Sequence, residues 1–113
     1  MHALIIEDEG LIAMVIEDVL RDCGFDSIDI APSPEAAFEA VARKCPTLIT
    51  SDVQLKPGCG IETVLKIRDM ELIPVIFITG NAGEVTGRVP NVPVLSKPFT
   101  EKQLVEAVAL VLP

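Results

Sequence analysis

Four short apolar runs in this 113-residue chain each end in a group able to do chemistry. Ala3-Leu4-Ile5-Ile6 leads into Glu7-Asp8-Glu9, and Thr47-Leu48-Ile49-Thr50 leads into Ser51-Asp52. Val75-Ile76-Phe77-Ile78 leads into Thr79-Gly80, and Val92-Pro93-Val94-Leu95 leads into Ser96-Lys97-Pro98. Two or three carboxylates, a hydroxyl and an ammonium would converge if these runs are parallel neighbours. Carboxylates this close repel unless a cation or a proton intervenes. Mg²⁺ suits such a set, because it is hard, prefers oxygen, and binds through one or two carboxylates, waters and a phosphate. Phosphoryl transfer needs positioning and charge neutralisation more than covalent help from the protein. Lys97 and Mg²⁺ could neutralise phosphoryl oxygens, Thr79 could donate a hydrogen bond to one, and the Asp52 carboxylate could be the nucleophile that forms an acyl phosphate. Taken singly, each residue has a plainer reading: a solvated acidic turn, a turn cap at Asp52, a strand-end threonine, an exposed lysine. The weight rests on their joint placement.

The elements that must position these groups alternate along the chain. Leu11, Ile12, Val15, Ile16, Val19 and Leu20 recur at three- and four-residue spacing, which predicts a helix that Gly24 stops. Ser27 to Ala31 reads as a second short strand. Ser33 can cap a second helix, with Pro34 at its first position and Glu35 near the positive end of its dipole. Ala37, Phe38, Val41 and Ala42 form its expected buried stripe, and a third helix, marked by Ile61, Val64 and Leu65, starts weakly after Pro57-Gly58-Cys59-Gly60. After the fourth strand, Gly80, Gly83, Gly87 and Pro90 argue against a regular helix. Pro93 suits an edge position for the fifth strand. Thr100 and Gln103 form a capping-box pattern for a last helix with Leu104, Val105, Val108 and Leu112 inward. Alternation of this kind predicts an α/β fold, a doubly wound five-stranded parallel sheet with a short or irregular fourth helix. In such sheets the ligand crevice lies outside the carboxyl ends of the strands.

Composition narrows the partners. Seventeen acidic against nine basic residues give a formal net charge of −8, a field that repels nucleic acid. No apolar run approaches the roughly 18 residues of a membrane span, and the start lacks the pattern of a signal peptide, so the expected address is cytoplasmic. Cys23, Cys45 and Cys59 have no metal-ligand spacing and are expected as small, partly buried, reduced residues. His2, the only histidine, is expected at a strand edge, which makes the chain an acceptor of phosphoryl groups and not a donor.

The order Glu7-Asp8, Asp52, Thr79, Lys97-Pro98 resembles the receiver domain of two-component response regulators over the whole chain, residues 1–113 as a single domain. The resemblance implies the flavodoxin-like strand order 2-1-3-4-5. It implies Asp52 as phosphoacceptor, with a histidine kinase or phosphotransfer protein as donor. It also implies Asp8 as a direct Mg²⁺ ligand, Glu7 as a ligand through water, and the Gln54 backbone carbonyl completing the set. Lys97 would pair with the phosphoryl group, Thr79 would be the switch hydroxyl, and the Lys97-Pro98 bond would be cis. Two departures stand out: Val94 occupies the position of the usual aromatic, and the segment from Thr79 to Lys97 is short. Phe77-Ile78-Thr79-Gly80-Asn81 resembles the FATGUY subgroup of receivers, which lacks that aromatic and has an altered fourth helix. Glu7-Asp8-Glu9 and Asp52-Val53-Gln54-Leu55 are similar to receivers attached to a sigma-factor-like domain in general stress regulators.

Three functions compete. The first is a phosphorylation switch, not a turnover enzyme, which alters binding of an unidentified downstream protein. The second is a constitutive protein-binding module on the same fold. The intact Asp8, Asp52, Thr79 and Lys97 count against it, because a scaffold needs none of them. The third is an aspartyl-nucleophile hydrolase, disfavoured because Gln54 stands where a general acid would be expected and the chain leaves no room for a cap domain.

Overall fold

The computed structural model describes residues 1–112, and Pro113, the last residue of the expected domain, lies outside them. Five strands and five helices alternate: β1 (His2–Ile6), α1 (Gly10–Asp22), β2 (Ser27–Ala31), α2 (Pro34–Arg43), β3 (Leu48–Ser51), α3 (Gly60–Met70), β4 (Val75–Thr79), α4 (Ala82–Thr86), β5 (Val94–Ser96) and α5 (Glu101–Val111). The sheet is parallel throughout and ordered β2-β1-β3-β4-β5, as the sequence led us to expect. Side chains alternate across it. Leu4, Ile6, Ile49, Val75 and Phe77 face one apolar layer, which α2, α3 and Val85 of α4 cover. Ala3, Ile5, Leu48, Ile76 and Ile78 face the other, covered by α1 and α5. Burial on both faces explains why the central strands read as continuous apolar runs and not as alternating ones.

Local signals set the helix ends. The Ser33 side chain accepts a hydrogen bond from the Ala36 amide at 3.2 Å, and Pro34 opens α2. Thr100 and Gln103 form the reciprocal capping box of α5. Gly24, with φ +103°, ends α1 in the left-handed conformation that favours glycine.

Several expectations are corrected. Leu11 and Val15 do not join the buried stripe of α1 but lie on its exposed side with Met14. The apolar residues of α1 span more of the helix surface than the sheet can cover. Val105 is partly exposed too, at 39%, and Ala42 is exposed, while Ala40 and Ala107 hold the inward positions instead. β5 runs over Val94–Ser96, because Asn91 at φ 66° turns the chain just before it; Pro93 stays outside, where its carbonyl accepts the Phe77 amide. The glycine-rich segment forms one helical turn, Ala82–Thr86, in keeping with the short fourth helix expected there. Cys45 is exposed, while Cys23 and Cys59 are partly buried, and all three are free. His2 is buried and not at an open edge: its Nδ1 lies 2.8 Å from Ser27 Oγ and its Nε2 3.2 Å from Asp29 Oδ2.

The turn from β3 to α3 rests on one close approach. A Cβ on Gly60 would coincide with the backbone carbonyl of Asp52 and press on Ser51 Oγ. No rotamer relieves a clash with backbone, so Gly60→Ala must displace either the start of α3 or Asp52 itself. The expected cost is about 3 kcal/mol, the upper end of ordinary overpacking, read as a lower urea midpoint. Gly83→Ala, where an added Cβ meets nothing within 4 Å, should show no such loss.

Candidate functional site

The polar groups at the strand ends are held by one further rung of the sheet. Beyond the last paired residues, the Glu7 amide donates to Ala31 O at 3.1 Å, the Asp52 amide to Ile6 O at 2.9 Å, and the Lys97 amide to Thr79 O at 2.9 Å. The side chains therefore leave a backbone that is already fixed. Such fixing matters because reacting groups must be held close to their productive geometry.

Lys97 joins the cluster. Its Nζ donates to Asp52 Oδ2 at 2.7 Å and to Glu7 Oε1 at 3.0 Å. The other Glu7 oxygen accepts the Glu9 amide at 3.2 Å, and Asp52 Oδ1 accepts the adjacent Val53 amide at 2.6 Å. Glu7 and Asp52 are buried, whereas Asp8 is half-buried and forms no ion pair among the described residues. Burial pushes the Glu7 carboxyl above its ordinary value, against the opposing pull of its hydrogen bonds to Lys97 and to the Glu9 amide. Burial would lower the Lys97 ammonium, but its hydrogen bonds to Asp52 and Glu7 outweigh it and the net shift is upward.

The loop after Asp52 is a small hairpin that closes on α3. Gln54 bridges Cys59, the Leu55 amide donates to Gly58 O at 3.1 Å, and the Gly60 amide donates to Val53 O at 2.7 Å. Gly58 sits at φ +117°, and both Lys56-Pro57 and Lys97-Pro98 are cis. The second of these matches the sequence-based expectation, and the first had no signal beyond the proline itself.

A pocket of about 650 Å³ opens over the cluster, lined by Asp8, Glu9, Asp52, Gln54, Lys56, Thr79, Gly80, Asn81 and Lys97. Every residue singled out from the sequence lies in it or directly beneath it; Glu7 is the one beneath. Sequence reasoning missed Lys56 and Asn81 as pocket residues, because neither ends an apolar run. One carboxylate oxygen from each of Glu7, Asp8 and Asp52 falls within 4.8 Å of the others, an all-oxygen set that fits a hard divalent cation.

A parallel α/β sheet with an acidic pocket and a lysine at the carboxyl ends of its strands matches the receiver arrangement that the sequence resembles. Comparison with known proteins agrees. The family model of the response regulator receiver domain matches residues 3–109. The phyllosphere-induced regulator PhyR of Methylorubrum extorquens is 40% identical over 100 residues, covering 85% of this chain and 38% of that protein. The solution structure of the PhyR receiver domain from Erythrobacter litoralis superposes with a TM-score of 0.88 at 35% identity, over 97% of this chain and 88% of that one. The crystal structure of the anti-anti-sigma factor PhyR from Bartonella quintana gives 0.78 at 34% identity, over 96% of this chain and 46% of that one. The chain belongs to the response regulator receiver domain family. It spans well under half the length of the curated PhyR it matches.

Removing the ammonium isolates its electrostatic role. Lys97→Met leaves Glu7 and Asp52 buried without their shared partner, with an expected loss of about 2–4 kcal/mol at pH 7 in metal-free buffer. The sign with pH follows from Glu7. A carboxyl whose folded value is raised favours the fold most below its unfolded value, and that benefit is lost as pH rises through the window between the two. Lys97→Met should therefore be more stable at pH 5 than at pH 7 in urea titrations, and Mg²⁺ should raise its Tm more than that of the wild type.

Proposed function

We propose that this chain, as a single domain over residues 1–113, is a phosphoacceptor switch in two-component signalling, with Asp52 as the acceptor. The observation that carries this reading is the Lys97 ammonium placed 2.7 Å from Asp52 Oδ2 inside a pocket that also presents Thr79 and Asp8. An oxygen of Asp52 attacks phosphorus, and the bond from phosphorus to the donor's histidine nitrogen breaks. With acetyl phosphate, the phosphorus–oxygen bond breaks and acetate leaves. Lys97 keeps its proton throughout and draws a phosphoryl oxygen to the position where it now holds the carboxylate. Thr79, buried at the end of β4, turns its hydroxyl toward the same group. Glu7, Asp8, Asp52 and the Gln54 carbonyl would hold Mg²⁺. When bound, the ion would supply neutralisation of the charge that gathers on the phosphoryl oxygens.

The family match supports a kinase or phosphotransfer protein as donor, and the pocket's surroundings suggest how it docks. Leu11, Ile12, Val15, Pro98 and Phe99 line an apolar groove that Lys97 joins to the Asp52 pocket. A donor helix seated there would carry its phosphohistidine to the rim. No helix among the described residues is long and apolar enough to cross a membrane. The family match supports a cytoplasmic role, and the net charge of −8 favours protein partners over nucleic acid. The Bartonella relative is an anti-anti-sigma factor and another similar PhyR is a stress response regulator, which supports a protein as the downstream partner in a stress relay. The Phe77-to-Asn81 segment supports placement in the FATGUY subgroup.

Two measurements check this. Incubation with Mg²⁺ and acetyl phosphate should add one phosphoryl group by intact mass, and Asp52→Asn should abolish it; labelling of that variant at the wild-type level would sink the assignment. Leu11→Asp with Val15→Asp should slow transfer from a phosphotransfer protein by about ten-fold or more while leaving the acetyl phosphate rate within two-fold, since a few central contacts dominate such interfaces.

A further inference from the structure

The amino ends of the strands form the pole opposite the Asp52 pocket, and they carry apolar surface that the proposed switch does not use. Between α3 and β4 the chain runs without regular structure through Glu71-Leu72-Ile73-Pro74. Its backbone is nonetheless held. The Glu71 amide donates to Ile67 O at 3.0 Å, Ile73 is buried in the core, and Pro74 O accepts the Ile49 amide at 2.9 Å. Leu72, caught between these anchors, is 84% exposed. A leucine held out to solvent on a fixed backbone costs little further ordering when something covers it.

Leu72 stands on a ridge between two grooves, and Leu72, Ile73 and Pro74 line both. One groove, of about 410 Å³, is lined on its far side by Arg68, Val92, Pro93 and Leu110, and Leu110 is itself 77% exposed. The other, of about 470 Å³, is lined by Met1, Pro46, Glu71 and Leu112. The charges beside the ridge are opposite. Glu71 is the C-cap of α3, where the negative end of the helix dipole disfavours a carboxylate. Neither Glu71 nor Arg68 forms an ion pair among the described residues. The surface thus presents a carboxylate that gains from an outside cation and a guanidinium free to supply one.

We propose that this pole is the interface of a two-fold homodimer. A second copy fits because the surface is complementary to itself, as a two-fold interface requires. With the axis between the Leu72 ridge and the Arg68 groove, Leu72 of each copy enters the Arg68 groove of the other. Glu71 adjoins Leu72 in the chain, so the same step carries it to the other copy's Arg68. One apolar anchor and one ion pair therefore form twice. The inference goes beyond the phosphoacceptor reading and does not depend on it, since contact at the amino ends leaves the Asp52 pocket and the groove beside α1 open in both copies. The net charge of −8 on each copy opposes association. A Debye length of about 8 Å at physiological salt confines that repulsion to nearby charges, and the charges nearest the ridge are the complementary ones.

Sedimentation velocity of the full chain in about 150 mM NaCl, from about 10 µM to about 1 mM protein, tests the interface. Wild type should pass from monomer to dimer across that range. Leu72→Asp should weaken the dimer by about a hundred-fold or more and Leu72→Ala by about ten-fold or more, because each change is felt twice. Arg68→Glu and Glu71→Arg should each weaken it by about ten-fold, although they move the net charge in opposite directions. Their equimolar mixture should associate as well as wild type, since both ion pairs are rebuilt between unlike copies. The double variant Arg68→Glu/Glu71→Arg, with its net charge unchanged at −8, should do the same. A chain that stays monomeric throughout, or that assembles beyond a dimer, overturns the proposal. So does a dimer that Leu72→Asp leaves intact, or a mixture of the two charge variants that associates no better than either alone.

Discussion

The structure of this domain turns on one ammonium holding two carboxylates apart. Glu7 and Asp52 project from neighbouring strands into a buried site, and Lys97 lies within 3.0 Å of an oxygen of each. At that range a pair of unit charges interacts by a few kcal/mol even in a fairly polar interior. Most of that gain is offset by the cost of removing the charges from water. The site is therefore close to balance, not strongly favourable, and Asp8 adds a third negative charge that Lys97 does not reach. A pocket built this way is biased toward anything that brings positive charge to the carboxylates or carries negative charge to the lysine.

That bias depends on backbone precision at the sheet's rim. The amides of Glu7, Asp52 and Lys97 each make one ladder bond beyond the strand ends. The last rung thus sets the position of each side chain before side-chain packing acts on it. Gly60 then brings α3 directly against the Asp52 carbonyl, and the Ser51 hydroxyl donates to that same oxygen at 2.8 Å. Asp52 is fixed from below by β1, from the side by Ser51, and from behind by α3, and only its carboxylate faces the pocket.

Much of this was legible from residue order. The first four strand runs, to within a residue at either end, the Ser33 and Thr100 caps and the Gly24 stop are local signals, and each was realised where the sequence put it. The four chemical groups were legible because parallel topology turns position along the chain into position on one rim. What was not legible depends on three-dimensional crowding. Leu11, Val15 and Val105 have the spacing of core residues, yet the sheet is too narrow to cover them, and periodicity carries no measure of that width. Lys56 and Asn81 reach the pocket through the shapes of two loops, which no pattern of residue types specifies. The fourth helix was legible as short or irregular, but what holds it was not. Glycine content lowered the expectation of a helix, but buried Val85 and Val89 secure one turn that propensity alone would not.

The chain has no aromatic at Val94, and a single helical turn follows Thr79 of the pocket. A switch needs an element with two states of similar free energy and a local event that favours one of them. A rotating aromatic supplies this by occupying one of two pockets. Here Val94 is paired in register with Phe77 and packs against the core, leaving no large side chain to rotate at that position. Immediately after β4, Gly80, Gly83 and Gly87, each with open space for a Cβ, flank or interrupt a single helical turn, Ala82–Thr86. Thr79 belongs to both the pocket and that turn, and its hydroxyl has one oxygen to share between them. Pocket and turn thus meet at one hydroxyl oxygen, two residues from the Asn81 amide that it accepts.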